Sequence, residues 1–213
     1  MKSKRILAIL NSTEFFGKER GNVAVYRLLQ EFCDVKIIAN SRASADFRKH
    51  LQGLDVIYLN SRADNRLQIV ITQIAYNIRF LILLFVYRPS YIFLNTTADV
   101  MQLFFPLWLF PSKIVYRAGD SVYGISNRFR RWKWKTFLRH RCTTLVAISH
   151  FVLSDFIKSG RKMEADNKVI FNISTAPPPP NRGFIKRNVM LQVFVLLMVI
   201  LVRFTLRKEF IIW

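Results

Sequence analysis

Seven short apolar runs recur along this chain: Arg5–Leu10, Val35–Ala39, Val56–Leu59, Tyr91–Leu94, Ile114–Tyr116, Leu145–Ile148 and Val169–Phe171. Each is continuous rather than alternating and rich in Ile, Val, Leu, Phe or Tyr, as strands buried on both faces read. Between them lie helix-like stretches: Gly21–Phe32, Leu67–Tyr87, Asp99–Leu109, Asn127–Cys142 and Ser149–Ser159. Strands alternating with helices require a parallel sheet covered on both sides. The expectation is an α/β, doubly wound, Rossmann-like fold.

Composition narrows the partners. Hydrophobic residues are 52% of 213, enough for a packed core and incompatible with intrinsic disorder. Lys and Arg total 33 against 13 Asp and Glu, a net +20 that calls for an acidic partner. Cys33 and Cys142 stand far apart, which fits a reducing, cytoplasmic compartment and gives no zinc cluster. The apolar stretch Ile6–Leu10 after the basic N-terminus is too short for a signal-peptide core. Leu67–Tyr87 carries Gln68, Gln73, Asn77 and Arg79, and Val189–Val202 is interrupted at Arg203. Both fall short of the roughly 20 apolar residues of a spanning helix.

In a parallel sheet, ligands bind outside the carboxyl ends of the strands. Three loops there hold the candidate residues. After the first strand come Gly17 and Gly21, which could let backbone approach a ligand, with a helix N-terminus expected near Gly21 to receive an anion; on local sequence alone an ordinary strand-to-helix loop explains them better. There is no Gly-x-Gly-x-x-Gly and no Gly-Lys-Ser/Thr. After the fifth strand comes Asp120, either a catalytic or sugar-orienting carboxylate, or a turn cap paired with Arg117. After the sixth comes Ser149, an N-cap for a helix ending at Gly160, a glycine C-cap. His150 has no partner for a triad or a metal site.

Asn127–Cys142 has seven Lys or Arg and no acid, interleaved with Phe129, Trp132, Trp134, Phe137 and Leu138. Phe129, Trp132 and Leu138 are expected to share a stripe. Arg130, Arg131, Lys133 and Lys135 would meet anionic headgroups if the helix is interfacial. The alternative is a surface helix whose aromatics cover its own sheet.

In order, these features resemble the N-terminal domain of family 4 glycosyltransferases over residues 4–175. The residues that carry the likeness are Arg5–Asn11 leading to Gly17–Gly21, Arg20-Gly21-Asn22-Val23-Ala24-Val25, and Val115–Asp120. The most specific are Leu145–Val152 followed by Lys168-Val169-Ile170-Phe171-Asn172. The resemblance implies half of a GT-B enzyme that transfers sugar with retention from a nucleotide-sugar donor to a glycan or lipid-linked acceptor, without a bound metal or other cofactor. By the resemblance Gly17 lies near the donor diphosphate, Gly21 and Ser149 line the site, and Asp120 stands near where many members carry a His. The Glu-x7-Glu and phosphate-holding cations of the second domain are absent, so the chain alone is expected to be inactive. Two other classes stay open: a membrane-associated accessory protein, peripheral at the inner face, and a nucleic-acid-binding protein, against which stand the missing reading motifs.

Beyond residue 175 the texture changes. The prolines Pro177–Pro180 mark residues 176–185 as a linker. Residues 186–213 form an irregular apolar tail with no period. Back-translated in a shifted frame, Leu197–Trp213 permits a Gly-x-Ile-x-x-x-Lys-Gly sequence, which resembles the start of the second domain in the family. The tail is therefore expected to be a frameshift product.

Overall fold

In a computed structural model, which describes residues 4–60, 66–119, 127–163 and 165–170, every one of the seven runs contributes to a strand. The strands are β1 (Arg5–Leu10), β2 (Asp34–Asn40), β3 (Asp55–Leu59), β4 (Tyr91–Leu94), β5 (Lys113–Ala118), β6 (Cys142–Ala147) and β7 (Asp166–Val169). All pair in parallel, in the order β3-β2-β1-β4-β5-β6-β7. The chain divides after Val169 into two units, and the first, Met1–Val169, is the fold described here. The expected linker 176–185 and tail 186–213 lie outside the described residues, as does Asp120.

The helices are α1 (Gly17–Gln30), α2 (Ala45–His50), α3 (Arg66–Tyr87), α4 (Thr97–Gln102), α5 (Phe104–Leu109), α6 (Arg128–Thr136) and α7 (His150–Lys158). Side chains alternate across β1. Leu7 and Ile9 join one core with Tyr76, Phe80 and Leu84 of α3, Leu107 of α5, Trp134 of α6 and Phe156 of α7. Ile6 and Ala8 are buried on the other side, where α1 and α2 supply Val23, Tyr26, Leu29 and Phe47. Each such aliphatic side chain removed from water stabilises the fold by about 1.5–3 kcal/mol. Two helices cover one face and five the other, as right-handed crossovers from a sheet that reverses direction at β1/β4 require.

Three of the expected helices differ in detail, and one further helix was not expected. The first helix begins at Gly17, four residues before the expected Gly21, and its N-cap Phe16 makes no side-chain cap. Asp99–Leu109 is two helices, not one. Pro106 has no N–H to give the Gln102 carbonyl, and Gln73 of α3 takes that carbonyl instead at 3.0 Å. Asn127–Cys142 is α6 followed by a π turn, Phe137–Arg141. Trp134, Phe137 and Leu138, at i, i+3 and i+4, share the face that enters the core. The expected stripe of Phe129 and Trp132 instead faces solvent, 57% and 53% exposed. The short helix α2 was not legible, although Ser44 caps it through the Phe47 N–H.

Ser149 does cap α7, its Oγ accepting the Val152 N–H at 3.2 Å. Gly160 (φ 114°) ends it with Arg161 N–H on the Phe156 carbonyl and Gly160 N–H on that of Ile157, a Schellman pair. Arg161, 4% exposed, then ties the fold's last turn together. Its guanidinium donates to the carbonyls of Leu138, Cys142, Thr143 and Asp166 and to Asn167 Oδ1.

α3 also departs from expectation. Gln68–Tyr87 is long and apolar enough to cross a membrane by length and composition. Yet its inner face is part of the core, and the Tyr87 hydroxyl donates to the Asp34 carbonyl at 2.8 Å.

Candidate site at the carboxyl edge of the sheet

The strand order reverses between β1 and β4, the position outside the strand ends where open parallel sheets bind ligands. Polar side chains line up along this edge because each follows the last apolar residue of a strand. Asn11 follows β1, Asn40 ends β2 and Asn95 follows β4. Asn40 Nδ2 donates to Asn11 Oδ1 (3.1 Å), and Asn11 Nδ2 donates to Gln102 Oε1 (3.0 Å). Asn95 Nδ2 donates to the Ile9 carbonyl (2.8 Å) and to the Tyr26 hydroxyl (3.0 Å), locking β4 to β1. Burial pushes the Tyr26 hydroxyl up to about 12, so it stays protonated.

Gly17 is the first residue of α1 at this edge, and nothing lies within 4 Å of where its Cβ would be. The space there is open to a ligand. Glu19 in the same first turn complements the positive helix end and accepts from Ser12 Oγ at 2.6 Å. The Lys18 side chain runs past Gly119, its Cε 3.4 Å from the position of an added Cβ, which joins the α1 start to the end of β5.

Gly21 is packed more closely than Gly17. It sits inside α1, against the Arg117 guanidinium (3.6 Å from its Cβ position). Arg117 Nη1 donates to Asn22 Oδ1 at 2.6 Å. Burial lowers the Arg117 pKa, but an arginine keeps its charge. Gly21 thus packs against Arg117, whereas the Cβ position of Gly17 is open. Ser149 stands at the end of β6 with its oxygen engaged as the α7 cap.

Asp99 is the residue that sequence reasoning missed. It is the third residue of α4, with Thr96 Oγ accepting its N–H at 3.1 Å. Its carboxylate turns back toward Thr96 as in a capping box, but neither oxygen makes a well-formed hydrogen bond. Burial outweighs the help of Thr96 and Lys18 and pushes its pKa up to about 6. The Tyr76 hydroxyl, also buried and unpartnered, is pushed up by its own burial and by Asp99. The one signal in the sequence was Thr96-x-x-Asp99 after a strand.

No family model and no curated protein matches this sequence. Solved structures do. HepE from Anabaena, in complex with UDP-glucose, superposes with a TM-score of 0.60 at 16% identity, over 79% of this chain and 43% of its own. A glycosyltransferase from Rickettsia africae gives 0.61 at 17%, over 91% and 50%. The chain has the Rossmann-like fold of GT-B enzymes. The lipopolysaccharide outer core galactosyltransferase WaaB gives a further GT-B match at 0.59 and 13% identity, over 84% of this chain and 49% of its own. The chain spans about half the length of these structures. Epimerases of nucleotide sugars share the GT-B likeness, among them the enzyme from Methanocaldococcus jannaschii (0.58, 15%).

Proposed function

We propose that this chain is the acceptor-side half of a retaining glycosyltransferase of the family 4 kind. It acts in the cytoplasm on a glycan or lipid-linked acceptor, and the donor is a nucleotide sugar. The observation that carries the reading is the open space at Gly17, at the strand ends where the sheet order reverses, beside Lys18. In a fold shared with enzymes solved with UDP and UDP-glucose, this is where a second domain would present a diphosphate. Asp120, which follows Gly119 in sequence, belongs to the same proposal as the group that orients the donor sugar.

Sugar transfer with retention needs the leaving diphosphate neutralised and the acceptor held in line. This half supplies Lys18 and the α1 N-terminus on one wall; the cations and carboxylates that grip the donor belong to the second domain. The irregular residues 186–213 are proposed to be that domain's start read in a shifted frame, and the gene downstream should then encode a Glu-x7-Glu region in the alternate frame.

The test is transfer of radiolabelled sugar from common nucleotide sugars by the purified 213-residue chain. None is expected alone, and transfer is expected when a donor domain translated from the alternate frame is supplied. Transfer by the chain alone would overturn the reading. So would no transfer with the restored domain across a panel of lipid-linked and glycan acceptors.

A further inference from the structure

A helix covering a sheet has an apolar inner stripe and a wet outer one; α3 is apolar on both. Tyr76, Phe80, Leu84 and Tyr87 face the core. Ile71, Ile74, Ile78, Ile82 and Phe85, spaced three or four apart, are each more than half exposed on the outside. Beside them Phe105, Trp108 and Leu109 of α5 and Phe129 and Trp132 of α6 are exposed too. Thirteen of the eighteen exposed large hydrophobic side chains among the described residues lie on these three helices. They are contiguous. Phe85 packs edge-on against Phe110 (5.7 Å), and Phe104 of α5 lies 5.8 Å from Trp132. A groove of about 950 Å³ runs between α3 and α4–α6, with Ile74, Ile78 and Phe105 on its walls and Arg130 and Lys133 at its rim.

The charge around this face has one sign. α3, α5, α6 and the π turn carry nine Lys or Arg and no Asp or Glu, and the one acid of α4, Asp99, is buried. Arg128, Arg131, Lys135 and Arg139 follow one stripe of α6 and its π turn, lining a recess of about 400 Å³ with Trp132 and His140. Lys133 leans over the rings of Phe129 (4.6 Å) and Phe105 (5.0 Å), and burial of its ammonium lowers its pKa.

We infer that the α3–α5–α6 face docks flat on an anionic lipid bilayer, its Ile and aromatic side chains entering the headgroup–acyl boundary while the α6 stripe meets lipid phosphates. α3 cannot span, because its inner face is the domain's own core; it lies in the plane, as interfacial helices do. The charge selects the occupant. A second copy would set this cationic face against another of the same sign, and a nucleic acid would leave the Ile stripe in water. This inference stands without the sugar-transfer reading.

The experiment is flotation of the full chain with vesicles of phosphatidylcholine, alone or mixed with phosphatidylglycerol. Binding is expected to the mixed vesicles and to be weak to the neutral ones. Arg128, Arg131, Lys135 and Arg139 replaced together by Gln should weaken it several-hundredfold, at roughly fivefold per charge. Ile74→Ser, Ile78→Ser and Ile82→Ser should each weaken it about tenfold without loss of folding, since these side chains are exposed. Brominated lipids should quench tryptophan emission in the wild type and much less in W108F/W132F. The proposal is overturned if the chain does not float, as when a second copy covers the face and the chain is a dimer dispersed by Ile78→Glu. It is equally overturned if the Ile substitutions leave flotation unchanged, whether residues 186–213 or charge alone then hold the vesicle, or if single-stranded nucleic acid binds in preference to vesicles.

Discussion

The Arg117 guanidinium donates to Asn22 Oδ1 at 2.6 Å, joining the end of β5 to the second turn of α1. Asn22 is 3% exposed, so the oxygen it would leave behind cannot turn to water. Arg117→Met should therefore cost about 1–3 kcal/mol of stability, the penalty of a buried unpaired acceptor. Urea unfolding measures it. A change within a few tenths of a kcal/mol would show that the pair does not hold the edge.

The two glycines of α1 differ in what surrounds them. An alanine methyl at Gly21 meets Arg117 at 3.6 Å, an ordinary contact, and removes a flexible residue from a helix interior. Gly21→Ala should raise stability by about 0.5–1 kcal/mol. Gly17→Ala should change stability little, as its methyl enters open space. It should nonetheless weaken any ligand that uses that space. Thermal unfolding with and without a nucleotide sugar separates the two effects.

Asp99 makes a prediction with pH. Its pKa in the folded chain, about 6, lies above the ordinary 3.8. Between those values the folded state holds a proton that the unfolded chain releases, so this group's contribution is full below about pH 4 and falls as pH rises through 6. The loss by pH 7 is about 3 kcal/mol at two to three times 1.36 kcal/mol. Asp99→Asn should be more stable than the wild type at pH 7 and should lose that slope. Denaturant unfolding across the range checks it; parallel pH curves for the two proteins would contradict it.

Gly160 and Arg161 form the clasp at the far edge. Gly160→Ala places a side chain at φ 114° with Lys135 Cγ 3.4 Å away, and should cost about 1–2 kcal/mol. Arg161→Met strips the donor from four carbonyls at once and should cost more, about 3 kcal/mol or above. Calorimetric melting of both variants tests the order. Equal melting temperatures for Arg161→Met and wild type would show that water replaces the guanidinium.

The sheet was legible because strands buried on both faces leave uninterrupted apolar runs, and β1 and β4 match their expected residues at both ends. β7 was legible only at Val169, since an edge strand reading Asp166-Asn167-Lys168 carries no burial signal. The start of α1 was misplaced because Phe16 offers no capping side chain to announce it. The α6 stripe was misassigned because at 100° per residue Leu138 lies opposite Phe129; the inward face is Trp134, Phe137 and Leu138, which leaves Phe129 and Trp132 out. Of the candidate site, the strand-end loops followed from the order of elements. The different packing of Gly17 and Gly21, and the buried charge at Asp99, depend on what lies beside them across the sheet, which spacing along the chain does not encode.

The central claim is that a ligand binds at the carboxyl edge of the sheet, between β1 and β4. Hydrogen–deuterium exchange of this chain, supplied with the donor domain translated from the alternate frame, with and without saturating UDP-glucose tests it most directly. The account predicts slowed exchange in Asn11–Lys18 and Asn95–Thr97, diminished by Gly17→Ala. Protection confined to the opposite edge or to the α3–α5–α6 face, or none anywhere, would contradict it.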